Sequence, residues 1–439
     1  MVSTLKSIEL KPKILLIPLA SRLLEKDTLK NVWAKILDSF QRNTEKTIFG
    51  YEQIVTERNI DKVISRINSS LQEYNGFIFV HLTGGSSKLA IEILTDIIHV
   101  KPFISWAHGK YNSLASAFHL REKISDFLNI KSNLPVLFEE YNLDFYSKIL
   151  ATVDFFLSPI NIIFFGSLLG VKVPSGYHVI RWTKKGRILK QNKENIISNE
   201  IAKLKKDAEI LIDDEMKIRD VVNLYLNIRD IISDLAKKQK GNRLLLANIH
   251  CYQFINTFKI APCLVVSLLN RDGYIVSCQG DLLALSSMFL LRLLTEKPVW
   301  VADISSINLE KNTITFAHYC ADINFKPSNR KYSIILHPIS KHPASIYIEP
   351  NLNSPITVFR IDANRNDFFI LEGTVIGPQK KDPNNGIQIE VNVNKNLEEI
   401  LDKVCGNHHA LVYGHWGHKL RELHPIFIIT KQMKLLKGK

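Results

Sequence analysis

The chain has 439 residues, which is too long for one ordinary hydrophobic core and predicts two or three domains. Hydrophobic residues form 46% of the chain and charged residues 23%, a balance that excludes wholesale disorder. The formal charge of +14 would favour polyanions, but the basic residues are scattered along the chain, so we interpret them as solvated surface and expect no nucleic-acid partner.

The first part of the chain alternates between short apolar runs and longer amphipathic segments. Runs of strand length occur at residues 14–19, 76–81 and 102–106, and each precedes a segment of helical length. This alternation predicts βαβ units around a parallel sheet. We therefore predict an amino-terminal α/β domain over residues 1–155.

The middle of the chain has the same pattern. Helices are predicted over a long charged region at 195–239 and over residues 281–294. Buried strands are predicted at 161–165, 244–249, 263–268, 273–278 and 298–303. These elements predict a central α/β domain over residues 156–310.

Beyond residue 310 the apolar runs become short and alternating, with Asn, Asp, Pro and Gly between them. The runs are 332–336, 356–361, 368–376 and 386–393. Such spacing predicts antiparallel β structure over residues 311–439. The predicted fold class is α/β, with two Rossmann-like parallel-sheet domains followed by a mostly antiparallel β carboxy-terminal domain.

We expect neither a secretory signal nor membrane insertion. The most membrane-like segment, residues 149–173, carries Asp154 and Pro159, which predict a helix end, a turn and a buried strand. The five cysteines have no CxxC spacing and lie mostly in apolar runs that we interpret as buried strands. Reduced core thiols and a cytoplasmic location are the expectation.

Three polar clusters follow or precede predicted strands, where sites form in parallel sheets. They are residues 277–282, 301–303 and 405–410. Asp281 opens a predicted helix and is either an N-terminal cap or a catalyst. Asp303 either begins a turn or contributes to a site.

Adjacent histidines such as His408 and His409 usually place one side chain in the core and one in solvent. They become candidate metal ligands only if another cluster supplies partners. No single cluster is specific, and their order along the chain carries more information than any one of them.

Read in order, several segments resemble the L-fucose isomerase-like family of sugar isomerases. The segments are 82–86, 112–117, 261–273, 278–282, 294–299, 317–318 and 406–414. The resemblance implies an aldose–ketose isomerase that uses a divalent metal, usually Mn²⁺ with Mg²⁺ or Co²⁺ as alternatives, and an enediol intermediate. It also implies a small-molecule sugar as substrate.

The chemistry can be stated independently of the resemblance. Moving a carbonyl from C1 to C2 requires that a base remove one proton and that an acid return it to the neighbouring carbon, and carboxylates suit this task. A metal held by the substrate oxygens stabilises the developing enediolate. Oxygen ligands with one imidazole suit Mn²⁺ or Mg²⁺ better than thiolates do.

The resemblance also implies roles for individual residues. Gln279 falls where the family has a Glu that serves as metal ligand and acid/base residue, and Asp303 falls at or beside the second acidic ligand. His408, or alternatively His409, matches the histidine ligand. His318 resembles a histidine of the family that we assign to substrate binding.

Gln279 departs from the family pattern in a way that bears on catalysis. An amide can lend its oxygen to a metal but accepts no proton at neutral pH, and losing a general acid/base residue costs roughly 10²- to 10⁴-fold in rate. Asp281, two residues on, is an alternative base if the chain is extended there. A second hypothesis is therefore a catalytically degenerate member that binds a sugar or a partner.

Family members form homo-oligomers in which one subunit's amino-terminal domain completes a neighbour's site. If this chain does the same, Lys110, Asn112 and Ser113 would approach a substrate bound by the adjacent subunit. The resemblance is the sole support for these three substrate-binding residues.

Overall fold

The structure is a computed structural model that describes residues 11–21, 25–42, 47–98, 100–131, 133–138, 143–168, 171, 173, 177–182, 188, 190–238, 245–378 and 386–437. Backbone contacts divide these residues into two compact units. One unit is Pro159–Gly417, and the other combines residues 11–158 with residues 418–437. The domain ranges 1–155, 156–310 and 311–439 stay a prediction, since compactness does not establish which parts fold alone.

The unit of residues 11–158 and 418–437 is built on a five-stranded parallel sheet in the order β2-β1-β3-β4-β5. Its strands are β1 (Ile14–Leu19), β2 (Ile48–Gly50), β3 (Gly76–His81), β4 (Phe103–Ala107) and β5 (Val136–Phe138). Every residue of β1 and β3 is buried, as expected of parallel strands covered on both faces.

Helices alternate with these strands along the chain. They are α1 (Lys26–Arg42), α2 (Ile60–Ser70), α3 (Ser87–Asp96), α4 (Ser113–Leu128) and α5 (Leu143–Phe156), with a 3₁₀ turn at Leu71–Glu73. The carboxy-terminal helix, Gly417–Lys437, belongs to this unit from residue 418 onward. Ile429 and Met433 of that helix pack in the same hydrophobic cluster as Phe77.

The unit Pro159–Gly417 begins with a second parallel sheet, in the order β10-β9-β6-β7. Its strands are β6 (Ile160–Phe165), β7 (Tyr177–Trp182), β9 (Leu245–Ile249) and β10 (Val276–Cys278). Its helices are α6 (Glu194–Asp207), α7 (Glu215–Lys238), α8 (Cys251–Phe258), α9 (Cys263–Arg271) and α10 (Leu282–Thr295).

The same unit contains a closed barrel in the order β11-β12-β17-β16-β15-β18, whose pairings are all antiparallel. The barrel strands are β11 (Trp300–Asn308), β12 (Thr313–His318), β15 (Pro355–Asp362), β16 (Asp367–Gly377), β17 (Ile387–Val393) and β18 (His408–Tyr413). Buried and partly exposed residues alternate along β16, so one face of that strand lines the interior. A short helix, α11 (Glu398–Leu401), precedes β18.

A small mixed sheet joins β14 (Ser345–Tyr347), β13 (Tyr332–Ile335) and β8 (Ala208–Ile210). β13 pairs with β14 in antiparallel fashion and with β8 in parallel fashion. With two parallel sheets and an antiparallel barrel near the end of the chain, the predicted fold class is confirmed.

For two predicted elements, the predicted type of secondary structure was wrong. Residues 263–268, predicted as a strand, belong to helix α9, whose residues from Cys263 to Asn270 are all buried. A helix enclosed on every side has no polar face, so its sequence cannot be distinguished from a buried strand by periodicity. The single helix predicted over 195–239 is instead α6 and α7, with strand β8 between them.

The prediction that most of the cysteines lie in buried strands was wrong. Cys251 and Cys263 begin helices, Cys320 follows β12 and Cys405 precedes β18, so only Cys278 lies in a strand. All five are free thiols, and four of them are buried. Within the described part of the chain, no helix combines the length and the apolar character that crossing a bilayer requires.

Candidate active site

Gln279 lies at a sharp turn between β10 and helix α10. Its φ of 65° is in the left-handed region, which side chains other than glycine avoid, and Gly280 follows with a φ of 76°. The Gln279 N–H donates to the Ile249 carbonyl at 3.0 Å, and the Gly280 N–H donates to Asn248 Oδ1 at 3.0 Å. The neighbouring strand β9 therefore holds the turn in this strained conformation.

The Gln279 amide lies between two imidazole rings. Its Oε1 is 2.6 Å from His408 Nε2, and its Nε2 is 3.2 Å from His318 Nε2. Because an amide nitrogen only donates, His318 accepts at Nε2 and carries its proton on Nδ1. The amide thus fixes one tautomer of His318.

His408 is oriented from its other side by Asp281. Asp281 Oδ2 is 3.1 Å from His408 Nδ1, so the ring donates its Nδ1 proton to that carboxylate. When Nδ1 carries the ring's one proton, the Nε2 lone pair of His408 faces Gln279 Oε1. A carboxylate behind an imidazole in this way is the usual support of a metal-binding histidine.

Asp281 has two roles in the structure. It is the N-cap of α10, accepting from the Ala284 N–H at 2.9 Å, and it also pairs with Arg360 at 3.0 Å. Burial raises the pKa of Asp281, but its hydrogen bond with His408, the Arg360 charge and the Ala284 N–H bring the pKa well below its ordinary value. Of the two predicted roles of Asp281, the structure therefore shows the N-terminal cap. A carboxylate whose anionic form is stabilised in this way is a poor base.

Arg360, on barrel strand β15, is buried and links Asp281 to His408. It donates to both Asp281 oxygens and to the His408 carbonyl. Gly406 has a φ of 65°, and a Cβ there would stand 2.5 Å from the guanidinium of Arg360. Glycine at 406 therefore leaves the space that the arginine occupies.

Asp303 lies in the middle of β11, directly paired in register with His408 on β18. Of its two predicted alternatives, the one that places Asp303 at the start of a turn is wrong, because the strand continues for five residues beyond it to Asn308. Its Oδ1 is 3.3 Å from His408 Nε2. Burial raises the pKa of Asp303 and so does the Asp281 charge, while the His408 charge lowers it, leaving a net rise.

Two acceptor atoms, Gln279 Oε1 and Asp303 Oδ1, thus lie close to His408 Nε2, which is a third acceptor when the ring carries its proton on Nδ1. Two of the separations are 2.6 and 3.3 Å. Ligands about 2.1 Å from a shared octahedral cation stand roughly 3 Å apart, so the spacing fits such an ion. Facing lone pairs at these distances require a cation or a proton between them, and the donor set suits Mn²⁺ or Mg²⁺.

His318 lies behind this group. It is buried at the end of β12, and its ligand atom lies within 4.8 Å of those of Asp303 and His408. Burial lowers the pKa of His318 to about 3, assisted by the charges of His408 and His337, so the ring is neutral. Its role in substrate binding stays a prediction.

His408 and His409 are both buried, so the expectation of one exposed ring was wrong. Neighbouring strand residues face opposite sides, and His409 packs against Phe316 and Phe369 inside the barrel. Of the two, His408 is the one beside Gln279. Burial lowers the pKa of His409 to about 4.

Lys110 and Asn112 lie in the other unit, in the loop between β4 and α4, and Ser113 is the first residue of α4. Lys110 and Asn112 are exposed, whereas Ser113 is buried and its hydroxyl has no hydrogen-bond partner within the described ranges. Asn112 has a φ of 57°. Their contribution to a neighbouring subunit's site stays a prediction.

Sequence reasoning missed Arg360 and Asn248. Each interrupts an apolar strand, and a buried charge or amide within such a run must find a partner. Arg360 has Asp281 as its partner, and Asn248 donates to Ser277 Oγ at 2.8 Å while accepting from the Gly280 N–H. A single polar residue inside a predicted buried strand was the available signal.

Fold and site together define an α/β protein with an antiparallel barrel and a convergent amide, carboxylate and imidazole group. Among curated proteins, the chain is similar to two named "Sulfoquinovose isomerase", from Priestia aryabhattai and Priestia megaterium. It is 26% identical to each over 198 residues, which is 43% of this chain. The match spans 44% of the length of each relative. No protein-family model matches the chain.

Proposed function

We propose that the protein is a metal-dependent sugar isomerase that interconverts an aldose and a ketose through an enediol. The observation that carries the proposal is that Gln279 Oε1 and Asp303 Oδ1 both lie within 3.3 Å of His408 Nε2. The similarity to two sulfoquinovose isomerases supports the same class of reaction. It also makes sulfoquinovose the first sugar to test.

A divalent cation, Mn²⁺ by preference, would be held by these three residues and would supply stabilisation of the negative charge on the substrate oxygens. Asp281 holds His408 in the tautomer that leaves Nε2 free, and Arg360 keeps Asp281 ionised. The strained backbone at Gln279 supports a functional role, since such conformations persist where the surroundings enforce them.

Proton transfer requires a group that can both accept and release a proton near neutral pH. Among the side chains described above, Asp303 is the one suited to this, because its carboxyl can ionise and is partly exposed. Asp281 is too strongly stabilised as an anion, and Gln279 cannot accept a proton. In this proposal an oxygen of Asp303 accepts the proton from one of the carbons C1 and C2 and returns it to the other.

The test is deuterium exchange. Purified protein with Mn²⁺ is incubated in D₂O with sulfoquinovose and with a panel of hexoses, pentoses and deoxyhexoses, and NMR follows both ketose formation and deuterium at C2. We expect one sugar to show both, and Asp303→Asn to abolish them. Absence of exchange and of product across the panel would refute the proposal.

The second candidate is a catalytically degenerate protein that binds a sugar or a partner. The observation that favours it is the Gln279 amide, which is held between two imidazoles where the resemblance places a carboxylate. Gln279→Glu separates the two functions. An active enzyme should be unchanged or impaired by the substitution, whereas acquired turnover would mark a protein that has lost its activity.

Homo-oligomeric assembly and a cytoplasmic location remain part of this proposal. If a neighbouring subunit completes the site, Lys110→Ala and Asn112→Ala should lower turnover without changing Mn²⁺ affinity. Light scattering of the purified protein gives the subunit number directly.

A further inference from the structure

A second group of potential metal ligands lies directly behind Gln279. Cys278, His318 and Cys320 are all buried, and one ligand atom from each lies within 4.8 Å of the other two. The two sulfurs are 3.8 Å apart. Cys320 Sγ is 3.4 Å from His318 Nδ1, and Cys278 Sγ is 3.9 Å from His318 Nε2. We call these three residues the thiol–imidazole group.

The separations of the two sulfurs and of Cys320 Sγ from Nδ1 match tetrahedral coordination of zinc. Two thiolates at about 2.3 Å from a zinc ion stand roughly 3.8 Å apart, and an imidazole nitrogen at about 2.1 Å stands roughly 3.6 Å from each. A disulfide, by contrast, needs sulfurs at about 2.05 Å. The sulfur pair and the Cys320–Nδ1 contact therefore have the spacing of a metal site. Cys278 Sγ approaches the other ring nitrogen, so a small rotation of the Cys278 side chain would complete coordination at Nδ1.

We propose that the thiol–imidazole group binds a thiophilic divalent cation such as Zn²⁺, at a site distinct from the oxygen-rich site of Gln279, Asp303 and His408. Binding displaces both thiol protons to solvent, so two thiolates balance the charge of the cation. A neutral complex of this kind is compatible with a buried position.

His318 connects the two sites. Its Nδ1 faces Cys320, while its Nε2 accepts from the Gln279 amide at 3.2 Å. A cation bound at Nδ1 moves the ring proton to Nε2, which then donates and requires an acceptor. The Gln279 amide must turn to offer its oxygen to His318, and that oxygen is then withdrawn from His408.

The thiol–imidazole cation should therefore weaken cation binding at the oxygen-rich site. This second consequence rests on the proposed function, whereas the thiol–imidazole site does not. Withdrawing one ligand is expected to lower Mn²⁺ affinity by about 10- to 100-fold, the range seen when the support of a metal ligand is removed.

The first experiment uses Co²⁺ as a spectroscopic probe. The full chain is produced in cobalt-supplemented medium, so that the buried ligands meet the ion during folding, and is kept under reducing conditions. We expect a thiolate-to-cobalt charge-transfer band in the near ultraviolet that is absent when the medium supplies Zn²⁺ in place of Co²⁺. Cys320→Ser and Cys278→Ser should each lose the band, and two separate variants guard against a folding defect in one.

Two controls distinguish this site from the other. Cys405→Ser removes a thiol outside the group and should keep the band. Asp303→Asn disables the oxygen-rich site, which has no sulfur, and should also keep it. A wild-type protein without the band, a band that survives Cys320→Ser, or a Cys278–Cys320 disulfide found by mass spectrometry in place of bound metal would overturn the proposal.

The second experiment measures Mn²⁺ affinity by calorimetry, with and without prior loading of Zn²⁺. Wild type should bind Mn²⁺ more weakly after loading, and Cys320→Ser should be insensitive to it. Equal affinities in wild type would refute the coupling through Gln279. The cobalt band would still support the thiol–imidazole site, so failure of the coupling can be distinguished from failure of the site.

Discussion

Asp281 and His408 are 127 positions apart in the sequence, yet Asp281 Oδ2 lies 3.1 Å from His408 Nδ1. This contact joins the amino-terminal end of helix α10 to the first residue of barrel strand β18. It determines which His408 nitrogen faces Gln279 and Asp303. The proposed cation site therefore depends on a contact between two elements that are far apart in the chain.

Arg360→Met should destabilise the protein strongly. The substitution keeps much of the side-chain volume but leaves the Asp281 charge and the His408 carbonyl without their buried partner. Breaking such a buried pair costs about 3–5 kcal/mol. Urea denaturation of wild type and variant gives the difference in the free energy of unfolding.

Arg330→Met is the matched control for that experiment. Arg330 is 60% exposed and lies 3.8 Å from Glu349, so its loss should cost no more than about 1 kcal/mol. Equal losses for the two variants would contradict a structural role for the Arg360 charge.

Asp281→Asn should weaken Mn²⁺ binding by about 10- to 100-fold, because His408 loses the anion that orients its ring. Asn remains a good N-cap, so helix α10 should still begin at the same residue. Isothermal titration calorimetry measures the affinity. Asp322→Asn is the control, since it disrupts another buried pair, with Arg292 at 3.6 Å, and should leave the affinity unchanged.

Gly406→Ala should reduce both stability and Mn²⁺ affinity. A left-handed backbone costs a residue other than glycine about 1 kcal/mol, and the clash with Arg360 adds roughly 1–3 kcal/mol. Gly109→Ala has a similar φ, 74°, but no atom within 4 Å of the new Cβ, so it should show the backbone cost alone. Unfolding curves for the two variants that coincide would argue against the clash.

His81 should make the protein less stable in acid. Burial lowers the pKa of His81 to about 3, below its ordinary value of 6.5, so between these values the unfolded state binds a proton that the folded state does not. Stability is therefore retained above pH 6.5 and falls as the pH drops toward 3, by about 1.4 kcal/mol per pH unit for this group.

His81→Asn should reduce the slope of the free energy of unfolding against pH by the amount that corresponds to one bound proton. The Asn amide can replace the imidazole in the 2.8 Å hydrogen bond with Ser86 Oγ, and it does not titrate. Urea unfolding at a series of pH values measures the slope. An unaltered slope in His81→Asn would disprove the assignment.

The sequence was most informative where local pattern and burial agree. The strand predicted at 14–19 is β1, and the run at 76–81 is β3, because parallel strands covered on both faces are apolar throughout. The same property caused the error at 263–268, where an enclosed helix is equally apolar. Periodicity reports which faces meet solvent, and a segment without a solvent face carries no such signal.

For the candidate site, the sequence by itself determined the chemical groups: an amide at 279, carboxylates at 281 and 303, and imidazoles at 318, 408 and 409. Tertiary structure alone decided that His408 rather than His409 faces Gln279, that Asp281 supports His408, and that Arg360 holds Asp281. The physical reason is that these contacts form between strands and helices far apart in the chain. Local sequence sets the conformation and side-chain direction of each element, whereas packing of the elements sets which atoms meet.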